Sequence, residues 1–123
     1  MMKKFSHVTV LVRDQDEALR WYTEKLGFTK KMDQAFGPNM RWLTIAAPED
    51  DLEVVLQKPE DDRLPLVGKG TPWVIETDDC RGDYDRLRAS GVEFPKPPNE
   101  VPWGTSAVFH DLYGNTFNLV QRR

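Results

Sequence analysis

The sequence holds a single cysteine, Cys80, among its 123 residues, which excludes an internal disulfide and any cysteine-rich zinc knuckle. No apolar run approaches the roughly 18 residues that a membrane-spanning helix needs, so no membrane partner is expected. Basic clusters are also missing. With 17 Lys and Arg against 20 Asp and Glu the formal charge is −3, and a nucleic-acid partner is not expected. The two "EDD" triplets, at 49–51 and 60–62, lack the spacing of a calcium loop. "GKGT" at 68–71 lacks the leading glycine of a phosphate loop. The opening "MMKKFSHVTVLV" is broken by His7 and Thr9, and Arg13-Asp14 follows without a small-residue cleavage site. It therefore reads as a first strand rather than a signal peptide, and the expected location is the cytoplasm.

What is present is a globular mixture, 39% hydrophobic and 30% charged, of a length suited to one domain with its own core. In "HVTVLV" (7–12) Val8, Val10 and Val12 share one face, and His7, Thr9 and Leu11 the other. Asp14 with Glu17 forms a capping-box start, Ala18, Leu19, Tyr22 and Leu26 form an apolar stripe, and Gly27 stops the helix. Strands are predicted at 28–32, 41–46 and 52–57. Residues 58–71, rich in Pro, Asp and Gly, read as a linker. The order then begins again: strand "PWVIETDD", helix "DDCRGDYDRLRASG", and strands at 92–94, 105–109 and 116–120. Gly91 follows Gly27 by 64 positions, and Asn118 follows Glu53 by 65. Residues 1–57 and 72–123 are thus two copies of one βαβββ module. In each, the sheet has one face for its helix and one without it. The second face, carrying His7, Glu53, Pro72 and Asn118, would line a concavity where two sheets approach.

Two stretches carry a resemblance. "HVTVLVRDQDEALRWYTEKLGF" is similar to the opening strand and helix of the vicinal oxygen chelate superfamily (glyoxalases, extradiol dioxygenases, bleomycin-resistance proteins), and "HDLYGNTFNLVQ" (110–121) to its closing segment. The resemblance covers essentially the whole chain. It implies an α+β, glyoxalase-like fold in which two βαβββ modules form a cupped eight-strand mixed sheet, and it implies a homodimer. In metal-dependent members four positions on facing strands hold a divalent cation. Here they fall on His7, Glu53, Pro72 and Asn118, or on Val55 or Gln57 if the fourth strand slips in register. Proline offers no donor and an amide oxygen is a weak one beside a carboxylate. Only His7 and Glu53 remain as strong ligands, short of the three of an ordinary catalytic site. No cofactor is therefore expected, the alternative being Zn, Ni, Mn or Fe on His7 and Glu53.

His7 and Glu53 also suit a metal-free acid–base pair, or, in the plainest case, a cavity histidine satisfied by hydrogen bonds. Trp42, Trp103 and Phe109 are candidates to stack a flat or apolar ligand. Trp103 lies in the loop "PPNEVPWGT", which is expected to cover the cavity, whereas core packing is an equal role for Trp42. Trp73 should pack on the helix, and Trp21 and Tyr22, on the first helix, are expected to be packing residues. Arg41 and Glu76 are candidates for polar ligand groups, His110 is expected to be a solvated turn residue, and Cys80 lies near a helix start without a histidine beside it. The expected function is small-molecule binding of the resistance or sequestration type. The alternative is a metal-dependent lyase, isomerase or dioxygenase of the glyoxalase type.

Overall fold

A computed structural model describes residues 1–123. The chain divides into two compact units, Met1–Val67 and Gly68–Arg123. The first unit contains β1 (His7–Leu11), α1 (Gln15–Lys25), β2 (Thr29–Ala35), β3 (Arg41–Ala46), β4 (Glu53–Gln57) and a 3-10 turn at Asp61–Leu66. Its four strands lie in the order β1-β4-β3-β2, with β1 and β4 parallel. The second unit contains β5 (Trp73–Glu76), α2 (Cys80–Ala89), β6 (Glu93–Val101), β7 (Gly104–His110) and β8 (Thr116–Arg122), in the order β5-β8-β7-β6. The expected eight strands thus form two four-stranded mixed sheets of identical topology.

The same local devices build both helices. Asp14 caps α1 by accepting from the Glu17 N–H at 3.0 Å, and Asp79 caps α2 by accepting from the Gly82 N–H at 3.0 Å. Each satisfies an amide that the first turn leaves without a partner. At the other end Gly27 (φ 71°) and Gly91 (φ 97°) take the left-handed conformation that glycine adopts without steric cost. The chain then turns back, so that Phe28 N–H reaches the Tyr22 carbonyl and Val92 N–H the Leu87 carbonyl. In the first unit Val10, Val12, Ala18, Tyr22, Leu43, Ile45 and Leu56 are buried. In the second, Leu87, Ala107, Phe109, Phe117 and Leu119 are buried. The alternation read from "HVTVLV" holds, because Val10 and Val12 are buried while His7 and Thr9 are exposed.

Three boundaries differ from expectation. β6 runs from Glu93 to Val101, well past the expected end at Phe94, despite Pro95, Pro97 and Pro98. It is an edge strand whose register shifts twice, between Glu93 and Lys96 and again between Lys96 and Asn99. An edge strand tolerates prolines because one row of its N–H groups has no strand to bond. The presumed cavity-covering loop "PPNEVPWGT" is consequently mostly strand, with only a tight turn at 102–103. β2 continues to Ala35, and β8 to Arg122. Part of the expected linker is the 3-10 turn, followed by the buried Val67.

Candidate functional site

Parallel pairing of β1 with β4 sets His7 directly across from Glu53, Thr9 across from Val55 and Leu11 across from Gln57. Paired residues on neighbouring strands point to the same side of a sheet. β4 is therefore in the register that puts Glu53, rather than Val55 or Gln57, beside His7. Thr44 of β3 pairs with Val55, which brings Thr44 and, two residues away, Trp42 onto that same face, opposite α1. These side chains form one connected group. The Glu53 carboxylate accepts a hydrogen bond from the Thr44 hydroxyl at 2.6 Å, and Thr44 is completely buried. His7 Nε2 stands 3.8 Å from the same Oε1 atom, an ion-pair separation rather than a hydrogen bond. His7 Nδ1 is 2.8 Å from the Ser6 hydroxyl, and its ring centroid is 5.6 Å from that of Trp42. The His7 and Glu53 side chains are 35% and 29% exposed, open enough to meet a ligand.

Arg41 was expected on this face and is not there. It immediately precedes Trp42 in β3, so it projects to the opposite side, towards α1. There its guanidinium holds Asp33 through two hydrogen bonds of 2.8 Å and Asp16 of α1 through a third of 2.8 Å. The bidentate pair keeps the Asp33 carboxyl below the usual carboxylate range and raises the Arg41 pKa. Those donors are committed to binding β2 and α1 to β3.

In the second unit Asn118 lies in register with Val74 on β5 and with Val108 on β7. The position facing Asn118 across the parallel pair is therefore Val74, not Pro72, which lies outside the strand. Valine offers no more to a cation than proline does. Glu76 shares the Asn118 face but is tied at the surface to Arg122, 2.6 Å away. Phe109, a candidate ligand contact by sequence, is a core residue. It is 1% exposed and stacks on Phe117 with ring centroids 5.4 Å apart, because its register partner Phe117 faces α2. Trp103 is 59% exposed on the β6–β7 turn, where its carbonyl accepts from the Arg123 N–H. Trp73 shares the Phe117 side and is 40% exposed, a partial version of the expected packing. His110 ends β7 and pairs with Glu93 across the strands at 3.1 Å, rather than standing free in a turn. Burial pushes the Cys80 thiol up in pKa, so it stays protonated and packed against β8.

Among the sequence-selected residues, His7, Glu53 and Trp42 come together. Arg41 and Phe109 point into their respective helix interfaces. Nowhere do three or more His, Cys, Asp or Glu side chains converge in a way that could hold a metal ion. The donor set of the first unit, one imidazole and one carboxylate already bonded to a hydroxyl, does not fit a three-ligand catalytic centre. Sequence inspection overlooked Thr44 and Ser6. The alternation 42, 44, 46 contained the signal for Thr44, since it places a hydroxyl on the Trp42 face.

A family model described as the Glyoxalase/Bleomycin resistance protein/Dioxygenase superfamily matches residues 4–119. The chain is 34% identical to the Bacillus subtilis (strain 168) protein YetH, over 97% of this chain and 98% of that one. Among solved structures it is similar to UcmS2, with 39% identity, a TM-score of 0.87 and coverage of 98% of both chains. It is also similar to TnmS3, described as an antibiotic binding protein from Streptomyces sp. CB03234. That match has 32% identity and a TM-score of 0.88, and covers 99% of this chain and 98% of TnmS3.

Proposed function

The chain belongs to the Glyoxalase/Bleomycin resistance protein/Dioxygenase superfamily, and from that premise we propose that it is a binding protein for a small aromatic molecule, acting without a bound metal. The observation that carries this reading is the composition of the face opposite α1. It offers an indole, an imidazole and one anchored carboxylate, and lacks a third strong metal ligand. An aromatic wall with few fixed polar groups is how proteins hold flat ligands. Likeness over nearly the full length of both chains to TnmS3, described as an antibiotic binding protein, supports the small-molecule part of this reading. Family membership further supports a homodimer, and the sequence features above support residence in the cytoplasm.

Titration of the protein with metal-free bleomycin and with the polycyclic aromatic daunorubicin, followed by calorimetry, tests the proposal. Saturable binding of at least one, unchanged by prior treatment with EDTA, is expected. The proposal is overturned if neither binds, or if the protein carries stoichiometric nickel, zinc, manganese or iron and loses a lyase, isomerase or dioxygenase activity on chelation.

A further inference from the structure

The charge on the face opposite α1 narrows the class of ligand. Three strands, β1, β3 and β4, contain one basic residue between them apart from His7: Arg41. Its guanidinium is held on the other side of the sheet by Asp33 and Asp16. On these three strands the one carboxylate is Glu53, with the His7 imidazole 3.8 Å from it; β2, the fourth strand of the sheet, carries Lys30 and Lys31 at its register shift. Thr44, fully buried, fixes Oε1 from behind, and His7 approaches that same oxygen. Both contacts are made through Oε1, so the carboxylate is held by one of its two oxygens. His7 bridges the two ends of the group, 3.8 Å from the carboxylate and 5.6 Å, ring to ring, from Trp42.

A fixed carboxylate close to an indole, with no arginine or lysine on the same strands to neutralise it, suits an organic cation. The carboxylate supplies a charge-assisted acceptor, and the indole face attracts positive charge and stacks flat rings. An anionic ligand would be repelled by the Glu53 carboxylate, and a neutral one would leave its Oε2 without a charged partner on losing its water. We propose that this face selects aromatic ligands bearing a protonated amine, with the ammonium on Glu53 and the ring system against Trp42. Thr44 is a positioning residue for Glu53. The inference rests on the small-molecule binding proposed above and adds the ligand's charge.

The test compares daunorubicin, whose amino sugar is protonated, with N-acetyldaunorubicin, which has the same rings and no charge. Calorimetric titration of the unmodified protein should show the amine binding about tenfold tighter, the usual scale of a hydrogen bond to a charged group. Glu53→Gln should bring the two affinities within about twofold of each other by weakening the amine alone. Thr44→Val should shrink the difference and Thr44→Ser should restore it, a rescue that a purely structural role for the side chain would not give. Equal affinities in the unmodified protein overturn this inference alone, as does a preference untouched by Glu53→Gln. Failure of both compounds to bind overturns this inference, and failure of metal-free bleomycin as well overturns the small-molecule reading on which it rests.

Discussion

The two units share a topology yet differ in what they place opposite their helices. In the first, the parallel pair β1/β4 sets His7 across from Glu53, with Thr44 bonded to the carboxylate. In the second, the equivalent pair β5/β8 sets Val74 across from Asn118, and Val108 completes the row. The parts that make the fold are matched: an aspartate cap at each helix start, a left-handed glycine after each helix, and buried apolar alternation. These are conditions any βαβββ unit must meet to fold. The polar row is free of that demand, so it is where two copies diverge. The first unit thus pairs an imidazole with a carboxylate at this position, and the second pairs a valine with an amide.

That contrast can be broken most forcefully at the two aromatic residues that sequence alone treats alike. Phe109→Ala should destabilise the protein by about 3–5 kcal/mol through the cavity left beside Phe94 and Phe117, measured by urea denaturation. Trp42→Ala should instead act mainly on binding, lowering the affinity for daunorubicin about tenfold or more. A larger loss of stability at Trp42 than at Phe109 would reverse the assignment of wall and core.

The next effect concerns Arg41. Arg41→Ala should cost about 1 kcal/mol, as expected of a bidentate, partly exposed ion pair, and should leave daunorubicin affinity within about twofold. The Asp33 carboxyl is held below its ordinary range chiefly by its hydrogen bonds to Arg41. The pair's contribution is therefore complete above the pKa of about 4 that an unfolded aspartate has, and is lost as pH falls through the lower folded value. Denaturation profiles between pH 2 and 6 should show the parent losing more stability in acid than Asp33→Asn does; parallel profiles would remove Arg41 from its structural role. The smallest change is expected at Trp103, where truncation to Ala should shift stability by less than about 0.5 kcal/mol, since the side chain is mostly in water.

Much of this was legible in the sequence because alternation and end signals are local. The helices, the Asp14 cap, the glycine stops and the duplicated order all follow from periods of 2 and 3.6 together with Asp and Gly at the ends, while the shared face of His7 and Glu53 is fixed by the pairing of β1 with β4. What failed depended on register or on the neighbour of an edge. Arg41 and Trp42 are adjacent in one strand and cannot share a face, a constraint that excludes one of them once Trp42 is placed beside His7. Phe109 could be assigned to the core only through its pairing with Phe117. The prolines of β6 suggest a loop until the strand is known to lie at an edge. Thr44 needed the pairing of β3 with β4 before its hydroxyl could be linked to Glu53.

The most direct measurement of the central claim is a pair of calorimetric titrations of daunorubicin into EDTA-treated protein, one with the parent and one with Trp42→Ala. The account predicts saturable binding to the metal-stripped parent and a loss of about tenfold or more in the variant. Binding that disappears on metal removal and returns when a divalent cation is added back would contradict it.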